Sequence, residues 1–153
     1  MINLALALHI LAATVWVGGM FAANFCLRPS LDVLEPPQRL RLLRGFFGRF
    51  LRWVAASVIL LVATGYWMLV SYFGGFANAP PYVNLMQALG WVMILLFAGL
   101  LHGPWPRFKR AVDSGDFAAA GASLPLIRKL VAINLAIGLV VLIIGGTGRY
   151  WEF

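Results

Sequence analysis

Apolar residues along the chain group into four long stretches that are separated by shorter polar segments. The stretches cover approximately residues 2–26, 50–73, 82–102 and 127–146. Each provides the roughly 20 residues that an α-helix needs to cross a hydrocarbon core about 30 Å thick. The first stretch lacks a basic leading region and exceeds the length of a signal core, so we expect it to be a mature helix. The pattern predicts an all-α integral membrane four-helix bundle that forms one domain over residues 1–153.

Polar and small residues inside these stretches recur at helical spacing and define one seam on each predicted helix. Such residues are costly in a membrane and usually face the interior of a bundle. We therefore expect all four seams to point inward, with Gly18 and Gly19 allowing another helix to approach closely. The seams are His9, Trp16, Met20 and Leu27; Ser57, Thr64, Met68 and Ser71; Asn84, Trp91, Leu95 and His102; and Asn134, Gly138, Val141 and Gly145.

The distribution of charge predicts the orientation in the membrane. Only 11% of the residues are charged, against about 25% in a typical soluble domain. Eleven of the twelve lysines and arginines lie in or beside the two longer polar segments. By the positive-inside rule these segments are cytoplasmic and both termini are periplasmic. This topology explains the net charge of +7 without nucleic-acid binding, for which the chain has no recognised motif.

The polar segments contain no machinery for hydrolytic or phosphoryl-transfer chemistry. They have neither a phosphate-cradling glycine pattern nor a pair of carboxylates placed for acid-base work, and no acid lies beside a histidine within the predicted spans. A catalytic triad is therefore not expected. The sequence favours a protein that is not an enzyme.

The two histidines lie at opposite depths of the predicted bundle. At a rise of about 1.5 Å per residue, His9 lies about 7 Å outward of the middle of its helix and His102 about 13 Å inward of the middle of its own. Ligand nitrogens sit about 2 Å from a metal ion. The two residues therefore cannot share one ion, and we expect His102 to be a histidine at a helix end.

Residues at the depth of His9 include two methionines. The antiparallel order of the helices brings Met68 to that level, together with Met86 and Gln87. An imidazole that faces a thioether suits Cu(I) or the axial pair of a haem iron. In the alternative interpretation the methionines are ordinary apolar residues, and His9 hydrogen-bonds Gln87, Ser71 or a tyrosine. The residues alone leave both interpretations open.

Five segments resemble the small, single-domain members of the copper resistance protein D (CopD) family. The most specific is the pattern LHxxxxxxWxGG, formed by His9, Trp16, Gly18 and Gly19. The others are LLVATGYWMLVSYFGGF, YVNLMQALGW, WPRFKRAV and RKLVAINLAIGLVVLIIGGTGRYW. The resemblance implies a bacterial inner-membrane protein that handles copper in uptake or tolerance, with His9 as the metal-ligand candidate. A periplasmic copper carrier is the implied partner, besides the lipid bilayer.

The segment around His9 is also similar to the HemJ protoporphyrinogen oxidases, in which a histidine of the first helix binds haem b. Those proteins use a lysine near the start of the third helix, and residues 84–87 contain none. The similarity implies a haem b protein in electron transfer or oxidation, with His9 as axial ligand and Trp16 packed along the macrocycle. Copper handling, haem binding and a structural subunit without a cofactor are thus the three predicted functions.

Overall fold

The computed structural model describes residues 1–151, and those residues form helices and turns without a β-strand. Their helices are α1 (Ile2–Phe21), a π-helical segment (Ala22–Leu27), α2 (Arg28–Ser30), a 3-10 turn (Leu31–Val33), α3 (Pro36–Ser71), α4 (Pro81–His102), α5 (Pro104–Asp113), α6 (Phe117–Thr147) and a 3-10 turn (Gly148–Tyr150).

Within residues 1–151, four helical segments are long and apolar enough to cross a membrane, which confirms the predicted all-α architecture with four spans. They are Ile2–Val33, Pro36–Ser71, Pro81–Asp113 and Phe117–Tyr150. The spans run up and down in succession, so the start of the first span and the end of the fourth lie at one end of the bundle, here called the terminal end. The basic segments lie at the other, the basic end.

Two of the spans begin much earlier than predicted. The second span, predicted from residue 50, is continuous from Pro36 as α3. Glu35 and Gln38 form a capping box there, which satisfies the first backbone N–H groups. Likewise α6 starts at Phe117 rather than near residue 127, because the Asp116 carboxylate accepts a hydrogen bond from the Ala119 N–H at 3.0 Å. With 36 residues, α3 is about 54 Å long and extends beyond the hydrocarbon core.

A compact apolar core at the basic end holds the protruding parts of α3 and α6 together. Its centre is Phe108 on α5, which is completely buried. Arg44 of α3 pairs with Asp113 through two hydrogen bonds of 3.1 Å, and its guanidinium lies over the Trp105 ring. Helix α5 was not predicted from the sequence, and it covers this core with an amphipathic surface.

Within the bundle, α1 packs along α3 and α4 packs along α6. Gly19 lies directly against the Phe50 ring, whereas Gly18 faces open space. On α6, a Cβ atom at Gly138 or Gly145 would lie 3.0 Å from the terminal methyl of Met93 or Met86, respectively. Small residues thus admit large side chains from the neighbouring helix. The close approach was predicted for both Gly18 and Gly19, and it is found at Gly19 only.

The predicted seams of the first, second and fourth spans are buried in part, since Ser71 and Gly145 are exposed, and the seam predicted for the third span is wrong. Trp16 and Met20, Ser57 and Thr64, and Asn134 and Gly138 are buried in their respective helices. On α4, by contrast, the predicted seam is exposed, and the buried residues are Met93, Phe97 and Leu100.

The polar atoms of the third seam find partners without entering the interior. Asn84 donates to the Phe76 carbonyl across 3.4 Å, and Trp91 donates to the Tyr66 hydroxyl. His102 bonds the carbonyl of the preceding turn of its own helix. Because these partners lie at the helix ends or on the neighbouring helix, burial of the seam would satisfy no further polar group. Apolar residues fill the interior instead.

Candidate functional site

The imidazole of His9 lies between α1 and α3, near the terminal end of the bundle. Its Nδ1 atom is 2.8 Å from the hydroxyl oxygen of Thr64. A Cβ atom at the adjacent Gly65 would lie 3.3 Å from the Cε1 atom of the ring. The absence of a side chain at Gly65 therefore lets the imidazole rest against the backbone of α3.

The hydrogen-bond network determines which nitrogen of His9 carries the proton. The Thr64 hydroxyl lies 2.6 Å from the Leu60 carbonyl oxygen, and that oxygen can only accept. A hydroxyl has one proton, so the Thr64 hydroxyl donates to Leu60 and must accept from the Nδ1–H of His9. In the neutral ring the Nε2 atom then carries the lone pair.

The Nε2 atom of His9 is the chemically open group of the site. The Leu61 carbonyl is a further acceptor for the ring; it lies 3.4 Å from the Thr64 hydroxyl oxygen, on the side of Nδ1, and the His9 side chain is half-buried. Metal-binding histidines commonly donate their second N–H to a fixed acceptor, which orients the ring and raises its basicity. Thr64 supplies that acceptor, so Nε2 can bind a cation or accept a proton.

The structure separates the two predicted methionine ligands. Met68 follows Thr64 by four residues on α3, so the two side chains leave the same face of the helix. Met68 thus lies one helical turn from the residue that His9 contacts. Met86 instead packs against Gly145 in the seam between α4 and α6. Both methionines are half-buried, and their predicted role as metal ligands stays a prediction.

Trp16 lies deeper in the bundle than the imidazole. It follows His9 by seven residues, or about 10 Å along the helix axis. Its indole is 3% exposed and meets the Phe97 ring edge-on, with 6.0 Å between the centroids. The structure therefore places Trp16 in the apolar core, and its predicted contact with a cofactor stays a prediction.

A second polar cluster lies at about the same depth as His9 and bridges α3 and α4. The Tyr66 hydroxyl accepts hydrogen bonds from Gln87 at 2.8 Å and from the Trp91 indole at 3.2 Å. The alternative interpretation of the sequence paired His9 with Gln87, Ser71 or a tyrosine, and the observed partner is Thr64. Only the position of Thr64 in the seam of the second span signalled that contact.

His102 is remote from this site, as its depth predicted. It is the last residue of α4, at the basic end, and its side chain is exposed. Its Nδ1 lies 2.9 Å from the Ala98 carbonyl of the same helix. No group of three or more His, Cys, Asp or Glu residues that could hold a metal occurs within residues 1–151. A metal at His9 would thus need thioether, backbone or external ligands.

Comparison with protein families supplies the assignment. The family model of copper resistance protein D matches residues 44–147, which include most of α3 and all of α4, α5 and α6. The chain belongs to the CopD family. It is accordingly a multi-pass membrane protein of a family linked to copper resistance. Neither a curated protein nor a solved structure matches the chain.

The part of the chain that matches the CopD family contains only one side of the candidate site. Thr64, Met68 and Met86 lie within the matched range, whereas His9 precedes it. The helix that carries His9 packs along α3 over much of its length. The imidazole is therefore brought to the CopD-matched part of the chain by tertiary packing.

Proposed function

We propose that this CopD protein binds Cu(I) through the Nε2 atom of His9 and handles the ion in copper uptake or tolerance, without catalysis. The observation that carries the proposal is the orientation of His9 by Thr64, since it leaves Nε2 with a lone pair. The copper ion is the cargo of this site rather than a resident cofactor.

The chemistry around His9 suits a soft monovalent ion. Imidazole and thioether donors favour Cu(I), whereas Mg²⁺ and Ca²⁺ require oxygen ligands such as carboxylates. The nearby donor on α3 is the Met68 thioether, and the acidic residues of the described chain lie in the segments at the basic end. We propose Met68 as a second ligand, and Met86 as a ligand after movement away from Gly145.

The direction in which the site opens follows from the basic residues. If the basic end is cytoplasmic, as the positive-inside rule implies, His9 lies in the periplasmic half of a bacterial inner membrane. A periplasmic copper carrier would then be the partner that delivers or receives the ion. The basic end of the bundle contains the apolar core around Phe108.

Titration of the purified protein with Cu(I), in competition with a chromophoric chelator, tests the proposal. We expect His9→Ala to abolish the binding and Met68→Leu to weaken it. The matched control is His102→Ala, which removes an imidazole from the opposite end of the bundle and should leave the affinity unchanged.

Retention of the full copper stoichiometry in His9→Ala would refute the assignment. So would a Soret band in the purified protein that is lost in the same variant, because His9 would then be a haem ligand.

A further inference from the structure

Two arginines lie at the same depth near the basic end, one on the first span and one on the fourth. A Cβ atom at Gly138 of α6 would lie 2.9 Å from a methyl group of Val17 on α1, and this contact sets the register of the two antiparallel helices. Towards the basic end, Arg28 follows Val17 by eleven residues and Arg128 precedes position 138 by ten, which is about 15 Å along each helix. The two guanidinium groups also interact electrostatically, and both side chains are exposed.

No carboxylate among residues 1–151 is free to neutralise this pair. Asp32 attracts the Arg128 guanidinium, but its own side chain pairs with Arg39 at 3.2 Å. Arg28, Arg128, Arg39 and Asp32 thus form a cluster in which three positive charges share one negative charge. The remaining acidic residues are engaged elsewhere: Asp113 pairs with Arg44, Asp116 caps α6, and Glu35 belongs to the capping box of α3.

The guanidinium groups of Arg28 and Arg128 have no fixed acceptor in the part of the chain that the structure describes. Neither donates a hydrogen bond to a residue among 1–151, and their like charges repel each other. An anion bound between them would remove this repulsion. Because a planar guanidinium can donate two parallel hydrogen bonds to phosphate oxygens, a phosphate group suits the pair.

Apolar side chains are exposed on both helices between these arginines and the centre of the membrane. On the first span, Phe21 and Phe25 are 47% and 62% exposed, and their ring centroids lie 4.9 Å apart. On α6, Ala132 and Ala136 are exposed one and two turns beyond its arginine. This surface lies at the depth of acyl chains, so it favours the phosphate of a lipid over a free phosphate ion.

We propose that Arg28 and Arg128 together bind the phosphate group of an anionic phospholipid. The cytoplasmic leaflet is rich in such lipids, and the positive-inside rule places the basic end there. A lipid held by both residues connects the first span to the fourth at the end of the bundle opposite His9. The site is therefore separate from the proposed copper site and does not depend on it.

Titration of the purified protein with phosphatidylglycerol in detergent, followed by native mass spectrometry, gives the dissociation constant of the first bound lipid. Hydrogen bonds to a charged group are strong enough that Arg28→Gln and Arg128→Gln should each weaken the binding by more than about tenfold. The matched control is Arg110→Gln, at an exposed arginine of the same end that donates to the Pro106 carbonyl of its own helix. It removes only the general attraction of one basic residue to an anionic surface, which is about fivefold.

Thermal stability in detergent identifies the source of the phosphate. Phosphatidylglycerol should raise the Tm of the unmodified protein, whereas phosphatidylcholine or inorganic phosphate at the same concentration should not. The rise should be lost in the double variant Arg28→Gln/Arg128→Gln, whose Tm without lipid should be no lower because the repulsion between the two arginines is gone. Equal losses of affinity in Arg110→Gln and Arg128→Gln would overturn the proposal, since the basic surface as a whole would then attract the lipid. An equal rise in Tm with inorganic phosphate would overturn the assignment to a lipid.

Discussion

Replacement of Thr64 by valine tests how the site is oriented without altering the proposed ligand itself. Valine has nearly the shape of threonine but lacks the hydroxyl. The substitution therefore removes the acceptor of the Nδ1–H group of His9 and the donor to the Leu60 carbonyl. The imidazole is then free to rotate or to carry its proton on Nε2, where it would block the metal.

Two magnitudes follow from this loss. A buried donor without a partner costs about 1–3 kcal/mol in the free energy of unfolding. The value for His9 should lie near the lower limit, because the residue is half-buried and the Leu61 carbonyl remains as an acceptor for the ring. Removal of the acceptor that orients a metal-binding histidine typically weakens the affinity by about 10- to 100-fold. That range corresponds to about 1.4–2.7 kcal/mol of binding free energy.

The assay is competitive Cu(I) titration of the purified variants, together with the thermal stability in detergent. Thr64→Ser keeps a hydroxyl and should restore most of the affinity. Thr14→Val is the matched control, because the Thr14 hydroxyl bonds only the Ile10 carbonyl of its own helix. If Thr64→Val binds copper as tightly as the unmodified protein, the orientation of His9 by Thr64 is not what makes Nε2 a ligand.

Two further predictions concern the topology and the packing of the bundle. A reporter that is active only in the cytoplasm should function when inserted at Asp113 and fail when fused after Phe153, and the reverse pattern would place His9 on the cytoplasmic side. Gly19→Leu should lower the free energy of unfolding in detergent by about 1–3 kcal/mol, because the new side chain collides with the Phe50 ring. Gly18→Leu enters open space and should be nearly neutral. Equal effects of the two substitutions on thermal stability would contradict the observed contact between α1 and α3.

The number of spans, the all-helical class and the separation of the two histidines were predictable from the sequence. Hydropathy and helical periodicity are local properties, so a span of about 20 apolar residues is recognisable without knowledge of its neighbours. The same periodicity identified Thr64, Asn134 and Gly138 as members of inward seams, and all three are buried. Axial depth also follows from residue number at a constant rise, which is why His9 and His102 were correctly placed far apart.

For the third span, helical periodicity did not predict which face is buried. Its polar residues were expected to point inward, yet the face with Met93 and Phe97 is buried. A helical pattern defines the faces of a helix, but which face is buried depends on the surface that the neighbouring helix offers. Here Gly138 on α6 provides room for Met93, and the exposed Trp91 finds its hydrogen bond on Tyr66.

The contact between His9 and Thr64 was likewise decided by the tertiary structure. Depth alone placed Met68 opposite His9, whereas the observed hydrogen bond is to the residue one helical turn deeper. The axial register of two packed helices depends on the close approach of particular side chains, such as Phe50 against Gly19, and a single turn moves a contact by about 5.4 Å. The sequence by itself determined which residues could form the site, and the packing of α1 on α3 decided which of them meet, because hydrogen bonds are specific at distances shorter than one helical turn.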